Sequence, residues 1–135
     1  MAERIAILAL CGITLTVTVL VIRAWNSRRI KGLVGKQLWD GLGETPDGRA
    51  TLVTFSTPSC AACHQAQAPA VAAVKTQIDT LRVIHVDAAQ NPHVAKAFGV
   101  LTVPSTAILA PAGHLVALNQ GFASSNKLVE QLQRA

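Results

Sequence analysis

Apolar residues form three kinds of pattern along this chain, and each predicts a different element. From Ile5 to Ile22 (IAILALCGITLTVTVLVI) they run together without a charge, bounded by Arg4 and Arg23. At about 1.5 Å per helical residue such a run almost crosses a hydrocarbon layer of roughly 30 Å. Trp25 follows where an interfacial aromatic sits. The run therefore predicts one transmembrane helix. A cleaved signal peptide is the rival, but it needs a basic front end, a shorter apolar stretch and a small-residue cleavage site, which Arg23-Ala24-Trp25-Asn26 does not supply.

The second pattern is the short β-prone run, and the third is helical spacing. Thr51 to Ser56 (TLVTFS) and Leu81 to Val86 (LRVIHV) read as strands, and between them Val71, Val74 and Ile78 recur at i, i+3 and i+7. Strand, helix and strand in that order predict a parallel βαβ unit. A short helix from Pro92 to Phe98 follows, then strands Ser105 to Ala110 and His114 to Asn119, joined as a hairpin by Pro111-Ala112-Gly113. Ser124 or Ser125 caps a last helix whose Leu128, Val129 and Leu132 face inward. Lys31 to Gly48 carries five glycines and one apolar cluster (Leu38, Trp39, Leu42), which reads as a linker leading into a short helix.

Charge refines this picture. Over 135 residues, half of them apolar, there is room for one ordinary domain and a short appendage. The net charge of +5 is local: Arg23, Arg28, Arg29, Lys31 and Lys36 form a collar with no acidic residue among them. Beyond it, Arg49, Lys75, Arg82, Lys96, Lys127 and Arg134 balance Asp40, Glu44, Asp47, Asp79, Asp87 and Glu130. A neutral domain has no basic stripe, which argues against a nucleic-acid partner. The chain thus divides into a transmembrane anchor (1–25), a basic linker (26–36) and a folded domain (37–135). A collar that follows the apolar helix predicts that this domain faces the cytoplasm, the exported side being the alternative.

Three cysteines are too few for a disulfide scaffold. Cys11 lies inside the apolar run as a small packing residue. The other two stand in Ser59-Cys60-Ala61-Ala62-Cys63-His64, where the first strand gives way to the first helix. A cysteine at a helix N-terminus has its thiolate favoured by unpaired amides and the positive end of the dipole, and a partner one turn on is close enough to form a small disulfide. On that reading Cys60 attacks and Cys63 resolves. The same letters are also the attachment signature of a c-type haem, with His64 as an iron ligand and His85, His93 or His114 as the second. A zinc site has weaker support, because no second close ligand pair exists, and two inert structural thiols are the plain alternative. Spacing alone leaves these readings open.

From about Gln37 to Ala135 the chain resembles the thioredoxin family. Val86-Asp87 ends a strand, Asn91-Pro92 opens a helix, and Phe98-Gly99-Val100 leads into Thr102-Val103-Pro104-Ser105-Thr106, like the family's cis-proline segment. Gly113 and Gly121 also fall where the family has glycines. The resemblance implies an α/β thioredoxin-like fold, a central mixed sheet flanked by helices, here preceded by one transmembrane helix. It implies redox-active Cys60 and Cys63, a cis Pro104, and target contacts at Val103, Pro104, Ser59 and Gly121, with a protein disulfide as substrate and no cofactor or metal. The departures point to a restricted set of targets. Ser59 replaces the usual tryptophan, Ala61-Ala62 replaces Gly-Pro, and Thr54 stands where a buried aspartate is common. The lysine paired with that aspartate aligns near Val83, and a helix proline comes one residue late, at Pro69. Thr54 and His64 are left as the candidates for proton transfer. A non-enzymatic subunit of a membrane complex is the alternative from another class.

Overall fold

A computed structural model describes residues 1–135. The chain divides into two compact units, Met1–Gly32 and Leu33–Ala135.

The first unit is a single helix, α1 (Ala2–Lys31), none of whose residues is buried. It is long and apolar enough to cross a membrane. The hydroxyls of Thr14, Thr16 and Thr18 donate to the carbonyls of Cys11, Gly12 and Thr14 at 2.9, 2.7 and 2.8 Å, so these polar groups find partners within the helix itself. The helix continues past Ile22 through the basic collar to Lys31, so residues 26–31, read from the sequence as linker, are helical. Arg29 lies over the Trp25 ring at 5.6 Å.

In the second unit four strands, β1 (Thr51–Ser56), β2 (Arg82–Asp87), β3 (Ser105–Leu109) and β4 (Leu115–Gln120), form one sheet in the order β2-β1-β3-β4. The β1–β2 pair is parallel and the other two are antiparallel. The expected strands and hairpin are all present, with β2 and β4 each displaced by one residue and β3 one residue shorter. One face of the sheet is covered by α2 (Ala68–Gln77) and α4 (Ser125–Gln133). Leu52 and Ile108 meet Val71, Val74, Leu128 and Leu132 there in one buried cluster. Ser124 caps α4 by accepting the Lys127 amide at 3.3 Å. Phe55 packs against Phe98, just past α3 (Pro92–Ala97), with ring centroids 5.3 Å apart and planes tilted by 56°, and α3 packs against the 3-10 turn Trp39–Leu42.

Two local features hold the entry segment and the active-site helix. Gly35 donates to Leu115 at 2.7 Å and Leu115 to Lys36 at 2.9 Å, so the segment before the 3-10 turn runs along the β4 edge. Gly113, at φ +95°, leaves no room for a side chain, because a Cβ there would lie 2.7–2.8 Å from Gln37 and the Trp39 ring. The helix that follows β1 opens at Ala61, passes through a π-helical turn at Cys63–Gln67, and becomes α-helical as α2. Within that turn the Ala68 amide donates to the Cys63 carbonyl, an i to i−5 bond. A π-turn takes up one residue more than an α-helical turn, which matches the one-place offset of Pro69 read from the sequence.

Candidate active site

The end of β1 and the first turn of the helix build the cysteine pair. The Cys60 amide donates to the Thr57 carbonyl at 3.1 Å, closing the turn that leaves the strand. The Cys63 amide then donates to Cys60 Sγ at 3.2 Å, and the His64 amide to the Cys60 carbonyl at 3.4 Å. Cys60 therefore holds the N-cap position, its sulfur taking an amide that a serine or aspartate oxygen usually takes. A thiolate at that atom receives the same hydrogen bond and the positive end of the helix dipole. Cys60 and Cys63 are joined in a disulfide with Cα atoms 5.3 Å apart, whereas Cys11 is free. The two sulfurs are unequal in access: Cys60 is half-buried and Cys63 is 4% exposed.

Behind Cys63 lies a cavity of about 270 Å³ whose lining includes Thr54, Cys63, His64, Gln67, His85 and Pro104. It brings together four of the residues singled out from the sequence, Thr54, Cys63, His64 and Pro104. Thr54 is 6% exposed and its Oγ1 lies 2.8 Å from His85 Nδ1. The register explains this pair, since Thr54 stands directly opposite His85 across the parallel strands, whereas Val83 stands opposite Leu52. His64 Nε2 lies 3.3 Å from the Pro58 carbonyl, which can only accept, so Nε2 carries the hydrogen and ties the helix back to the preceding loop.

Ser59, Val103 and Gly121 do not line the cavity. Ser59 is exposed beside Cys60, Val103 is half-buried and joined to the buried Pro104 by a cis peptide bond, and Gly121 has φ +85° at the exit of β4. The loop bearing Val103 and Pro104 is braced by Gln120. Its Nε2 donates to the Gly99 carbonyl at 2.8 Å, and its Oε1 accepts from the Leu101 amide at 3.1 Å and the Ser105 hydroxyl at 3.2 Å. Sequence reasoning missed Gln120, and it named His85 only as a possible second haem ligand, not as the partner of Thr54. The place of His85 beside Thr54 follows only from the strand register.

Comparison with known proteins agrees with this geometry. Residues 44–134 match the model of the Thioredoxin family. The thioredoxin of Fasciola hepatica is 28% identical, with a TM-score of 0.59 over 71% of this chain and 89% of that one. A mutant thioredoxin from Halobacterium salinarum NRC-1 is 27% identical, with a TM-score of 0.59 over 66% and 76% of the two chains. No curated protein sequence matches the chain. A family match across most of the folded unit, joined to a cysteine pair closed as a disulfide at the strand-to-helix junction, shows that the chain belongs to the thioredoxin family of thiol–disulfide oxidoreductases.

Proposed function

We propose that the protein is a membrane-anchored reductase of protein disulfides, with Cys60 as the attacking sulfur and Cys63 as the resolving one. The observation that carries this reading is the inequality of the pair: Cys60 caps the helix within reach of solvent and Cys63 is buried behind it. In the reduced protein the Cys60 thiolate attacks one sulfur of a target disulfide and expels the other as a thiolate. Cys63 then attacks Cys60, the mixed disulfide breaks, and the target leaves as a dithiol while the Cys60–Cys63 bond forms. Thr54 and His64 line the cavity beside Cys63 and are the sequence's candidates for taking up its proton.

An extended target segment lies against Ser59, the Val103 backbone, Pro104 and Gly121. Leu101 and Phe122, 58% and 55% exposed, supply an apolar border to that surface. With serine and alanines in place of the family's usual tryptophan and Gly-Pro, the protein serves a restricted set of targets. Residues 1–25 anchor it, the domain from residue 37 faces the cytoplasm, and its targets include partners held at the same membrane.

The test uses the full chain in detergent micelles with a thiol reductant and insulin. Reduction of the insulin disulfides faster than by the reductant alone supports the reading. No acceleration with insulin or with any membrane-protein disulfide overturns it in favour of a non-enzymatic subunit.

A further inference from the structure

Below α2 the sheet changes character from one row of residues to the next. Leu52, Val83, Ile108 and Ala117 stand in register across all four strands, and all are apolar. Two residues along β1, on the same face, the next row is His85, Thr54, Thr106 and Asn119, and all are polar. Packing does not require this row, because buried polar groups must find partners that an apolar row does without. At the β4 end the demand is met internally. Asn119 donates to Thr106 Oγ1 at 3.1 Å and exchanges two hydrogen bonds with Gln131 at 2.7 and 2.9 Å. At the other end the row opens into the cavity of Cys63, and its last member, His85, is exposed on the edge strand β2.

A thiol shut off from solvent needs a group to receive its proton before it can attack. We infer that His85, through the Thr54 hydroxyl, receives the Cys63 proton when the mixed disulfide is resolved, an inference that rests on the exchange chemistry proposed above. With the imidazole hydrogen on Nε2, Thr54 donates to Nδ1 and turns an oxygen lone pair toward the cavity. The Cys63 proton passes to Thr54 Oγ1, directly or through one water that a cavity of this size admits, as the Thr54 proton passes to His85 Nδ1. The Cys63 thiolate then attacks Cys60 Sγ, the bond between Cys60 and the target breaks, and its electron pair leaves on the target sulfur, which takes a proton from solvent. The imidazolium, exposed at the sheet edge, returns its proton to water. The titratable groups facing this path are Cys63 and His64 from the active-site helix and Glu44, which lines the neighbouring cleft with His85; β1 and β3 contribute only hydroxyls, and Asn91 and Val94 on the α3 side do not titrate.

The two chemical steps separate with dithionitrobenzoate as the probe, because attack by Cys60 releases one coloured thiolate and resolution by Cys63 releases the second. In stopped-flow measurements on the reduced full chain carrying Cys11→Ser, which removes the one other thiol that would react with the probe, His85→Gln should slow the second release roughly tenfold or more and leave the first within about twofold. The pH profile of the second release should lose one ionisation. Thr54→Val should behave in the same way, Thr54→Ser should retain the parent rate, and added imidazole should restore the second release in His85→Gly. A second release that His85→Gln leaves at the parent rate at every pH, or that slows only in step with the first, overturns the inference. If the Cys11→Ser chain with His85 and Thr54 intact released no second equivalent, the exchange reading itself would fall and this inference with it.

Discussion

Gln67 and Ala123, 56 positions apart, exchange two hydrogen bonds: Gln67 Nε2 donates to the Ala123 carbonyl at 3.0 Å, and the Ala123 amide donates to Gln67 Oε1 at 2.9 Å. Both residues are buried, so one side chain satisfies a backbone donor and acceptor that water does not reach. The pair fixes the π-turn of the active-site helix to the loop after β4, two residues beyond Gly121. Gln67→Leu keeps the volume but strands both backbone groups. At about 1–3 kcal/mol for each unsatisfied group, it should be among the more damaging single substitutions in the domain. Gln67→Glu keeps the acceptor but sets a buried carboxylate against the Ala123 carbonyl, so at neutral pH it should cost at least as much. Denaturant midpoints of the two variants check this, and equal stability for Gln67→Leu and the parent would show that the clamp is not holding the helix.

The π-turn leads to a deletion experiment. Removing Ala66, an exposed residue inside the turn, should convert the i to i−5 bond into an ordinary helical one and leave Val71 and Val74 facing the core. Removing Ala72, equally exposed but inside α2, should rotate everything after it by about 100° and take Val74 out of the core. Expelling one buried valine costs roughly 1.5–3 kcal/mol before any repacking. The Ala66 deletion should therefore fold with a midpoint close to the parent's, and the Ala72 deletion should be markedly less stable. Comparable losses in the two deletions would mean that the turn is required for the fold rather than accommodated by it.

What the sequence shows of this molecule depends on distance along the chain. The strands, the hairpin turn and the cap at Ser124 are local patterns, and all appear in the fold. The start of β2 was misread by one residue because Leu81 is apolar and buried yet precedes the first ladder bond. Pro69 carried the signature of the π-turn as a one-residue offset, although the offset alone does not say where the insertion is absorbed. The Thr54–His85 pair was illegible. The two residues lie 31 positions apart, and their meeting depends on a register that neither strand specifies by itself. Gln67 and Gln120 were illegible for a related reason, since an amide that binds distant backbone looks like any surface glutamine until the partner loop is in place.

The orientation of the folded domain is tested with reporters. The basic collar follows the apolar run of α1, with Arg28, Arg29 and Lys31 in its last turn. A phosphatase that works only after export, fused behind Ala135, should be inactive, and a reporter that works only in the cytoplasm should be active there. Replacing Arg23, Arg28, Arg29 and Lys31 with neutral residues should weaken or reverse that preference, because lysine and arginine close to the membrane dominate topology. An active phosphatase on the unaltered chain would put the domain on the exported side and change the class of targets to exported proteins.

The unequal cysteines give the last prediction. The Cys60 sulfur receives an amide hydrogen bond at the helix N-terminus and is half-buried, whereas Cys63 is almost fully enclosed, so a bulky protein disulfide meets Cys60 first. Cys60→Ser should abolish exchange with insulin, because the remaining thiol has neither the access nor the capping amide. Cys63→Ser should preserve the attack and remove the step that ends it, so that covalent complexes between Cys60 and its targets accumulate. Those complexes should appear as high-mass bands on non-reducing gels, collapse on reduction, and carry the natural targets of Cys60. The double variant Cys60→Ser with Cys63→Ser should trap nothing, which separates capture through Cys60 from capture through the free Cys11. Equal trapping by the two single variants would show that enclosure of Cys63 does not decide which sulfur attacks, and the assignment of roles would have to be reversed or abandoned.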